Sequence, residues 1–169
     1  KSSFYEGSVG VPLIASWPGR FAEGRTVTEP VSLLDLAPTL NALGGARHLP
    51  RTRGHSLLPA LLPERAPLPD RAVFAECVAD AKAPARMVLR WPWKLVHHHG
   101  YDAPQLYNLS HDPGETNDLG SDAAHAEIRR RLRAEALEGW SAERIIAALR
   151  EEPARWNMLS EWAHAARPP

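Results

Sequence analysis

Apolar residues fall along this chain in short groups whose spacing changes, and each spacing predicts a different element. From Gly10 to Trp17 the run GVPLIASW carries Val and Ile and is closed by Pro18-Gly19, which predicts a buried strand within a core. In VSLLDLAPTLNALGG, Val31 to Gly45, the leucines at 36, 40 and 43 recur at helical spacing. Asp35 stands there as N-cap, Pro38 in the first turn where no intrahelical bond is lost, and Gly44-Gly45 as the stop. Prolines at 50, 59, 63, 67 and 69 then break the pattern between His48 and Asp70. That stretch reads as a connection with at most one helical turn near Ser56 to Leu62, and as a subdomain boundary.

Beyond it, four short strand patterns follow: Ala72 to Cys77, Arg86 to Arg90, Trp93 to His98 and Gln105 to Leu109. The second and third are joined by the tight Trp91-Pro92 connection, and the spacing predicts a small antiparallel sheet. Asp112-Pro113-Gly114-Glu115 predicts a turn that ends the last strand. Ser121 to Gly139 predicts a charged helix with Ile128, Leu132 and Leu137 as its stripe; Ser141 to Arg150 starts another, capped by Ser141. From Glu151 onward, Trp156, Met158, Leu159 and Trp162 predict a short amphipathic helix that packs against something.

Composition narrows the class. The 169 residues include 20 basic and 20 acidic side chains, with 44% hydrophobic and 24% charged residues, which excludes wholesale disorder and fits one domain with an appendage. Zero net charge argues against nucleic acid as a partner, since phosphate binding needs a basic surface. The apolar runs are too short and too broken to span a bilayer. Cys77 is the only cysteine, so no internal disulfide exists and a reducing compartment suits the chain. With neither an initiator Met nor a signal peptide ahead of what reads as mid-domain sequence, a fragment is expected.

Local chemistry is sparse. His97-His98-His99 contains the commonest metal-ligating side chain, but strand neighbours point to opposite faces and no third ligand is near. A polar strand end with one packed histidine is the better reading. Cys77 has no partner motif and reads as a small strand residue. Asp112 and Glu115 look like a carboxylate pair, yet the Pro-Gly between them favours a turn. Arg129-Arg130-Arg131 reads as a solvated face, and Trp91 and Trp93 as packing or cleft-lining residues.

The ordered motifs carry more. Lys1-Ser2-Ser3-Phe4-Tyr5-Glu6-Gly7-Ser8, then Val11-Pro12-Leu13-Ile14 and Trp17-Pro18-Gly19, resembles the sulfatase segment in which a lysine and an aromatic stretch precede Glu-Gly, Val-Pro and Pro-Gly. Three further blocks resemble the family in its order: Val31 to Leu40, Gly54-His55-Ser56-Leu57-Leu58, and Gln105-Leu106-Tyr107-Asn108-Leu109 with Asp112 to Leu119. The tail from Trp140 resembles the C-terminal extension of the choline-sulfatase and phosphonate-monoester-hydrolase-like branches.

The resemblance implies an α+β chain, in which the end of an alkaline-phosphatase-like α/β domain is followed by a small antiparallel sheet of about four strands with packed helices. Its implied parts are residues 1–47 as the end of the core, 48–70 as the proline-rich connection, 71–139 as the C-terminal subdomain and 140–169 as a helical tail. It further implies hydrolysis of a sulfate ester of a small molecule or sugar by a calcium ion and a formylglycine. Both are expected on the N-terminal catalytic portion of the same enzyme, because this chain has neither the Cys/Ser-x-Pro-x-Arg motif nor the metal-binding blocks. Lys1 matches the lysine that contacts a sulfate oxygen, Glu6 is expected to hold its turn or pair with a basic neighbour, and His97 is a candidate substrate contact. The chain alone is expected to be inactive and to leave Val11 to Ile14 and Leu33 to Leu43 uncovered. Two rival readings stand beside this one: a phosphonate or phosphodiester hydrolase of the same superfamily, and a non-catalytic module that forms a homo-oligomer through Trp140 to Trp162.

Overall fold

Strands β1 (Val73–Cys77), β2 (Ala85–Arg90), β3 (Trp93–His98) and β4 (Gln105–Asn108) pair in sequence order into one antiparallel sheet. The computed structural model describes residues 3–46, 50–64, 66–78 and 83–165, without the side chains of 152–156, 158, 159 and 163–165. The register sets Val88 opposite Phe74 and Leu95, and Leu95 opposite Leu106. Because successive side chains alternate, this places Val88, Leu95 and Leu106 on one face and Met87, Val96, Lys94 and Tyr107 on the other. The strands lie where the sequence pattern puts them, within a residue or two at each end.

Each face has its own cover. A 3-10 turn (Ala123–His125), held by Asp122 Oδ1 accepting the Ala124 N–H at 2.9 Å, leads into a helix over Ala126–Leu137. That helix closes the first face, burying Leu132 and Ala136 against Val88, Leu95 and Leu106. Arg86 donates to the Ala136 carbonyl at 3.0 Å, satisfying an acceptor in the last turn, where helix carbonyls lack internal partners. Arg90 pairs with Glu135 at 2.6 Å on the same side. The second face is covered from the other end of the chain: Phe4 is buried with Ala85, Met87 and Val96, and Val9 packs beside them. Between Phe4 and Val9 runs a single helical turn, α1 (Glu6–Val9).

A separate knot forms around Asp35, which is wholly buried. Its carboxylate accepts the Ser32 N–H at 2.8 Å and the His55 N–H at 2.9 Å, and Arg71 pairs with it. Thr39 Oγ1 donates to the Asp35 carbonyl and accepts the Leu57 N–H. The helix expected over Val31 to Gly45 is thus a 3-10 turn (Leu33–Asp35) followed by α2 (Leu36–Leu43). Its cap is Ser32, whose Oγ accepts the Leu34 N–H, while Asp35 reaches back to Ser32 instead of capping α2. A single turn, α3 (Leu58–Leu61), interrupts the proline-rich connection. In order, the Ala126–Leu137 helix is α4.

Two expectations are corrected. Gly10 to Trp17 forms no strand and is exposed throughout, because a run with no neighbouring strand has nothing to pair its backbone or cover its side chains. The tail is one helix, α5 (Ala142–Ala165), which passes through Pro153 and is not a separate short helix from Glu151. Of the tail residues expected to pack, Trp162 is exposed, and the side chains of Trp156, Met158 and Leu159 lie outside the described residues. Among the described residues no helix is long and apolar enough to cross a membrane.

Gly54 is where the Asp35 knot tolerates least. A Cβ added there would stand 1.9 Å from the Leu34 carbonyl oxygen, so the loop and the 3-10 turn touch through backbone alone. Gly54→Ala is expected to push them apart and lower stability by about 1–3 kcal/mol, read as a fall in urea midpoint.

Candidate functional site

Lys94 lies near the start of β3 in the sequence Trp-Lys-Leu-Val, and strand alternation turns it away from α4 toward the face covered by residues 4–9. Its side chain is 0% exposed. Burying an ammonium is costly unless opposite charge and hydrogen-bond acceptors come with it. Two carboxylates do: Nζ lies 2.9 Å from Glu6 Oε1 and 2.7 Å from Glu115 Oε1. The second contact is an ion pair at an angle too poor for a directed hydrogen bond. Glu115 Oε2 in turn accepts the Glu6 N–H at 2.5 Å. One cation and two anions from three parts of the chain therefore share one site.

The turn before Glu115 delivers it. Asp112 accepts the Thr116 N–H at 3.1 Å, the Thr116 hydroxyl at 3.0 Å and the Asn117 N–H at 2.9 Å. Those backbone donors, that of Asn117 foremost, hold its carboxyl below the usual carboxylate range. The reversal puts Glu115 at φ 54°, a left-handed conformation that a non-glycine residue adopts at a cost, and its side chain points inward, 1% exposed. Asp112 and Glu115 are thus not a pair: one holds the turn and the other uses it.

Beside the triad, a cavity of about 430 Å³ is lined by Ser3, Tyr5, His98, Tyr101, Gln105 and Tyr107. Gln105 Nε2 donates to the Tyr107 hydroxyl at 3.0 Å and the Tyr5 hydroxyl at 3.4 Å, while its Oε1 lies 3.2 Å from His98 Nε2. Burial above all, then the bond with Tyr5 and the negative charge of Asp118 and Glu115, pushes the Tyr107 hydroxyl well above the ordinary tyrosine value. It stays a neutral donor and acceptor. The cavity wall is aromatic, hydrogen-bonding and contiguous with residues 3–5.

Lys1 lies outside the described residues. His97 is on the α4 side of the sheet, 7% exposed, with its ring edge-on to Trp140 at 5.8 Å. Burial, followed by the charges of Arg133, His99 and His98, holds its imidazole below the ordinary value. His97 and His98 therefore part to opposite faces, and His98 is the one beside Ser3 to Tyr5. His97 and His99 do share a small pocket with Arg133 and Trp140. Among the described residues no group of three or more His, Cys, Asp or Glu could hold a metal ion. Cys77 packs at the end of β1 beside the apolar cluster of Phe4 and Met87. Lys94 and Glu115, which form the buried ionic centre, are not singled out by the sequence motifs. Their signal was a lysine at an inward-facing strand position between Trp93 and Leu95.

Residues 1–142 match the family model described as N-sulphoglucosamine sulphohydrolase, C-terminal. The chain is 32% identical over 145 residues to arylsulfatase K of Xenopus laevis, covering 79% of this chain and 27% of that protein. It is 36% identical over 165 residues to choline-sulfatase of Rhizobium meliloti (strain 1021), covering 92% of this chain and 30% of that one. Among solved structures, the 2-O GAG sulfatase BT1596 superposes with a TM-score of 0.54 at 31% identity, over 59% of this chain and 22% of that chain. The phosphonate monoester hydrolase SpPMH from Silicibacter pomeroyi has a TM-score of 0.59 at 24% identity, over 72% and 27%, a likeness of fold alone. The chain spans less than a third of the length of these curated relatives.

Removing the Glu115 charge leaves a buried ammonium with one half-exposed partner. Glu115→Gln is expected to cost about 3 kcal/mol, the low end for a broken buried pair because Glu6 remains. Lys94→Met in the same chain is expected to restore most of that loss, since it removes the stranded charge; urea unfolding of the single and double variants measures both. For His97 the unfolded chain takes up its proton near the ordinary value of 6.5, before the folded chain does. Stability is therefore full above that pH and falls as pH drops toward the lower folded value. Urea midpoints at about pH 7.5 and about pH 5 are expected to differ less in His97→Phe than in the parent.

Proposed function

The chain belongs to the N-sulphoglucosamine sulphohydrolase C-terminal family, the C-terminal domain of sulfatases, and we propose that within a longer polypeptide it serves hydrolysis of a sulfate ester by presenting Lys1 to the sulfate. The observation that carries this reading is the docking of residues 4–9 on the sheet: Phe4 is buried there and Glu6 is tied to Lys94. In the sequence, the lysine of the family motif stands just ahead of the segment that the sheet holds.

Chemically the role suits an ammonium. As a sulfuryl group leaves its alcohol, negative charge grows on the departing oxygen, and a fixed cation close by lowers the barrier most where water is excluded. The calcium ion and formylglycine of the full reaction belong in this proposal to the N-terminal catalytic portion. The described residues of this chain form no cluster fit for the metal. The substrate in this proposal is a sulfated small molecule or sugar; the neighbouring cavity, lined by aromatic and amide groups and also by Glu115 and Asp118, suits its uncharged part and not the sulfate. The same catalytic portion is proposed to cover Val11, Leu13, Ile14, Leu33, Leu34 and Leu40, which stand exposed here.

The test is a substrate comparison on the full-length protein from its source. Turnover of 4-nitrophenyl sulfate by the whole protein, with none by the isolated chain, is the expected result. Lys1→Ala is expected to lower kcat about 10²–10³-fold, the scale for losing one donor to a developing oxyanion. Preference for a phosphonate monoester would replace this reading with the phosphonate hydrolase that the fold likeness also fits. Turnover of neither ester would leave the non-catalytic module, with its exposed apolar surface as a contact face.

A further inference from the structure

We propose that Glu6 is a positioning residue for Lys1, locking the register of the segment that carries that lysine onto the sheet through its ion pair with Lys94. The inference rests on the reading of Lys1 as the sulfate-contacting lysine. It starts from a surplus of charge. Lys94 and Glu115 alone would neutralise each other, both essentially without exposure, and complete an ion pair within the sheet subdomain. Glu6 adds a second carboxylate and leaves the site with a net negative charge. Its own side chain is 38% exposed, so water could satisfy it at little cost. A half-exposed carboxylate that neutralisation does not require is accounted for by where it sits in the chain.

Two fixed points follow Lys1. The first, Phe4, is held by burial among Met87 and Val96, a contact that is not directional and lets a chain slide or roll along the apolar face. Glu6 supplies direction. Its carboxylate meets Lys94 while its own N–H meets Glu115, so backbone and side chain of one residue are both bound to groups fixed in the sheet subdomain. A shift of one residue in either sense would break both bonds. Gly10 makes room for this arrangement: a Cβ there would stand 2.8 Å from the Glu6 carbonyl and 3.0 Å from Glu6 Oε2. Four residues separate Lys1 from Glu6, and the three steps from Lys1 to Phe4 span at most about 10 Å when extended. Locking Glu6 and burying Phe4 therefore fix the point from which the chain runs back toward Lys1. A misplacement of about 1 Å in a positioned group can cost on the order of 100-fold in rate, so the lock bears on catalysis.

A double-mutant cycle on the full-length enzyme tests this with 4-nitrophenyl sulfate as probe. The enzyme concentration is raised so that turnover of the slowest variant stays measurable. Glu6→Gln keeps the shape and removes the charge. It is expected to lower kcat by on the order of 10- to 100-fold. KM and the melting temperature are expected to stay close to the parent's, which a general loss of fold would not allow. Added to Lys1→Ala, the same change is expected to cost less than about twofold, because the group it positions is gone. Glu6→Asp, which keeps the charge, is expected to recover part of kcat. An equal loss in both backgrounds, or an undiminished kcat in Glu6→Gln, overturns the positioning role and leaves the reading of Lys1 intact. A harmless Lys1→Ala overturns that reading and the positioning role with it. If Glu6→Gln does not fold, Glu6→Asp is carried through the same cycle, since shortening the side chain by one methylene also shifts the segment, and the same outcomes decide.

Discussion

A lysine ammonium buried completely inside a sheet needs opposite charge close by, and Lys94 has it from the N-terminal segment and from the turn beyond β4. The desolvation cost of such a cation is several kcal/mol, and nothing on β2, β3 or β4 beside it carries an opposite charge. Its partners come instead from Glu6, 88 residues away, and from Glu115 beyond the end of β4. The Glu6 contact comes with residues 4–9 lying on the sheet. The Glu115 contact comes with a reversal of the chain within Asp112 to Glu115 and a left-handed residue there. A methionine in place of the lysine would supply comparable burial without these demands, so the ionic solution contributes definition of register more than net stability.

The Asp35 knot uses the same physics with the sign reversed. There a buried carboxylate collects the Ser32 and His55 N–H groups and the Arg71 side chain, joining a turn, a loop and the approach to β1. Gly54 lets the two backbones touch where any side chain would hold them apart. Each centre gathers segments that no hydrophobic cluster alone would orient, because burial of apolar area is indifferent to small rotations and charge-assisted bonds are not. Between the two centres the chain from Gly10 to Gly19 has neither an ionic anchor nor a partner strand among the described residues, and it stays exposed.

The sequence was most legible where structure is local. Strand alternation, the Trp91-Pro92 connection and the Ile128 and Leu132 stripe are set by neighbours in the chain, so the sheet and α4 could be read directly. Gly10 to Trp17 differs for the opposite reason: its apolar content is real, but becoming a strand needs a neighbouring strand, and none pairs with it among the described residues. The facing of His97 and His98 could be half-read. Alternation separates them, but which side holds α4 depends on how Leu132 and Ala136 meet Val88 and Leu95. Lys94 was hidden by its chemistry, since lysines are mostly exposed, and only the joining of residue 6 to residue 115 reveals why this one is not. That the subdomain resembles a sulfatase was legible because four motif blocks keep their order over more than a hundred residues.

Placing the anchor five positions from the lysine it is proposed to serve has a physical rationale. Lys side chains are long and carry high rotamer entropy, and their ammonium is strongly hydrated, so precision at Nζ has to be supplied by the surroundings and begins with the backbone. A direct salt bridge to Lys1 would fix its position but would also neutralise the charge it is proposed to offer to sulfate. Anchoring through Glu6 avoids that conflict: the ionic bond is spent on Lys94, which is wholly buried, and the charge proposed for Lys1 is left for sulfate. The sheet can then be a rigid support without any of its own side chains entering the reaction. This also explains why the ionic centre lies on the face covered by residues 4–9 and not on the α4 face. The arginines on the α4 face bond to the helix and to Glu76 and Asp70 on or just before β1, whereas Lys94 joins the sheet to residues 4–9.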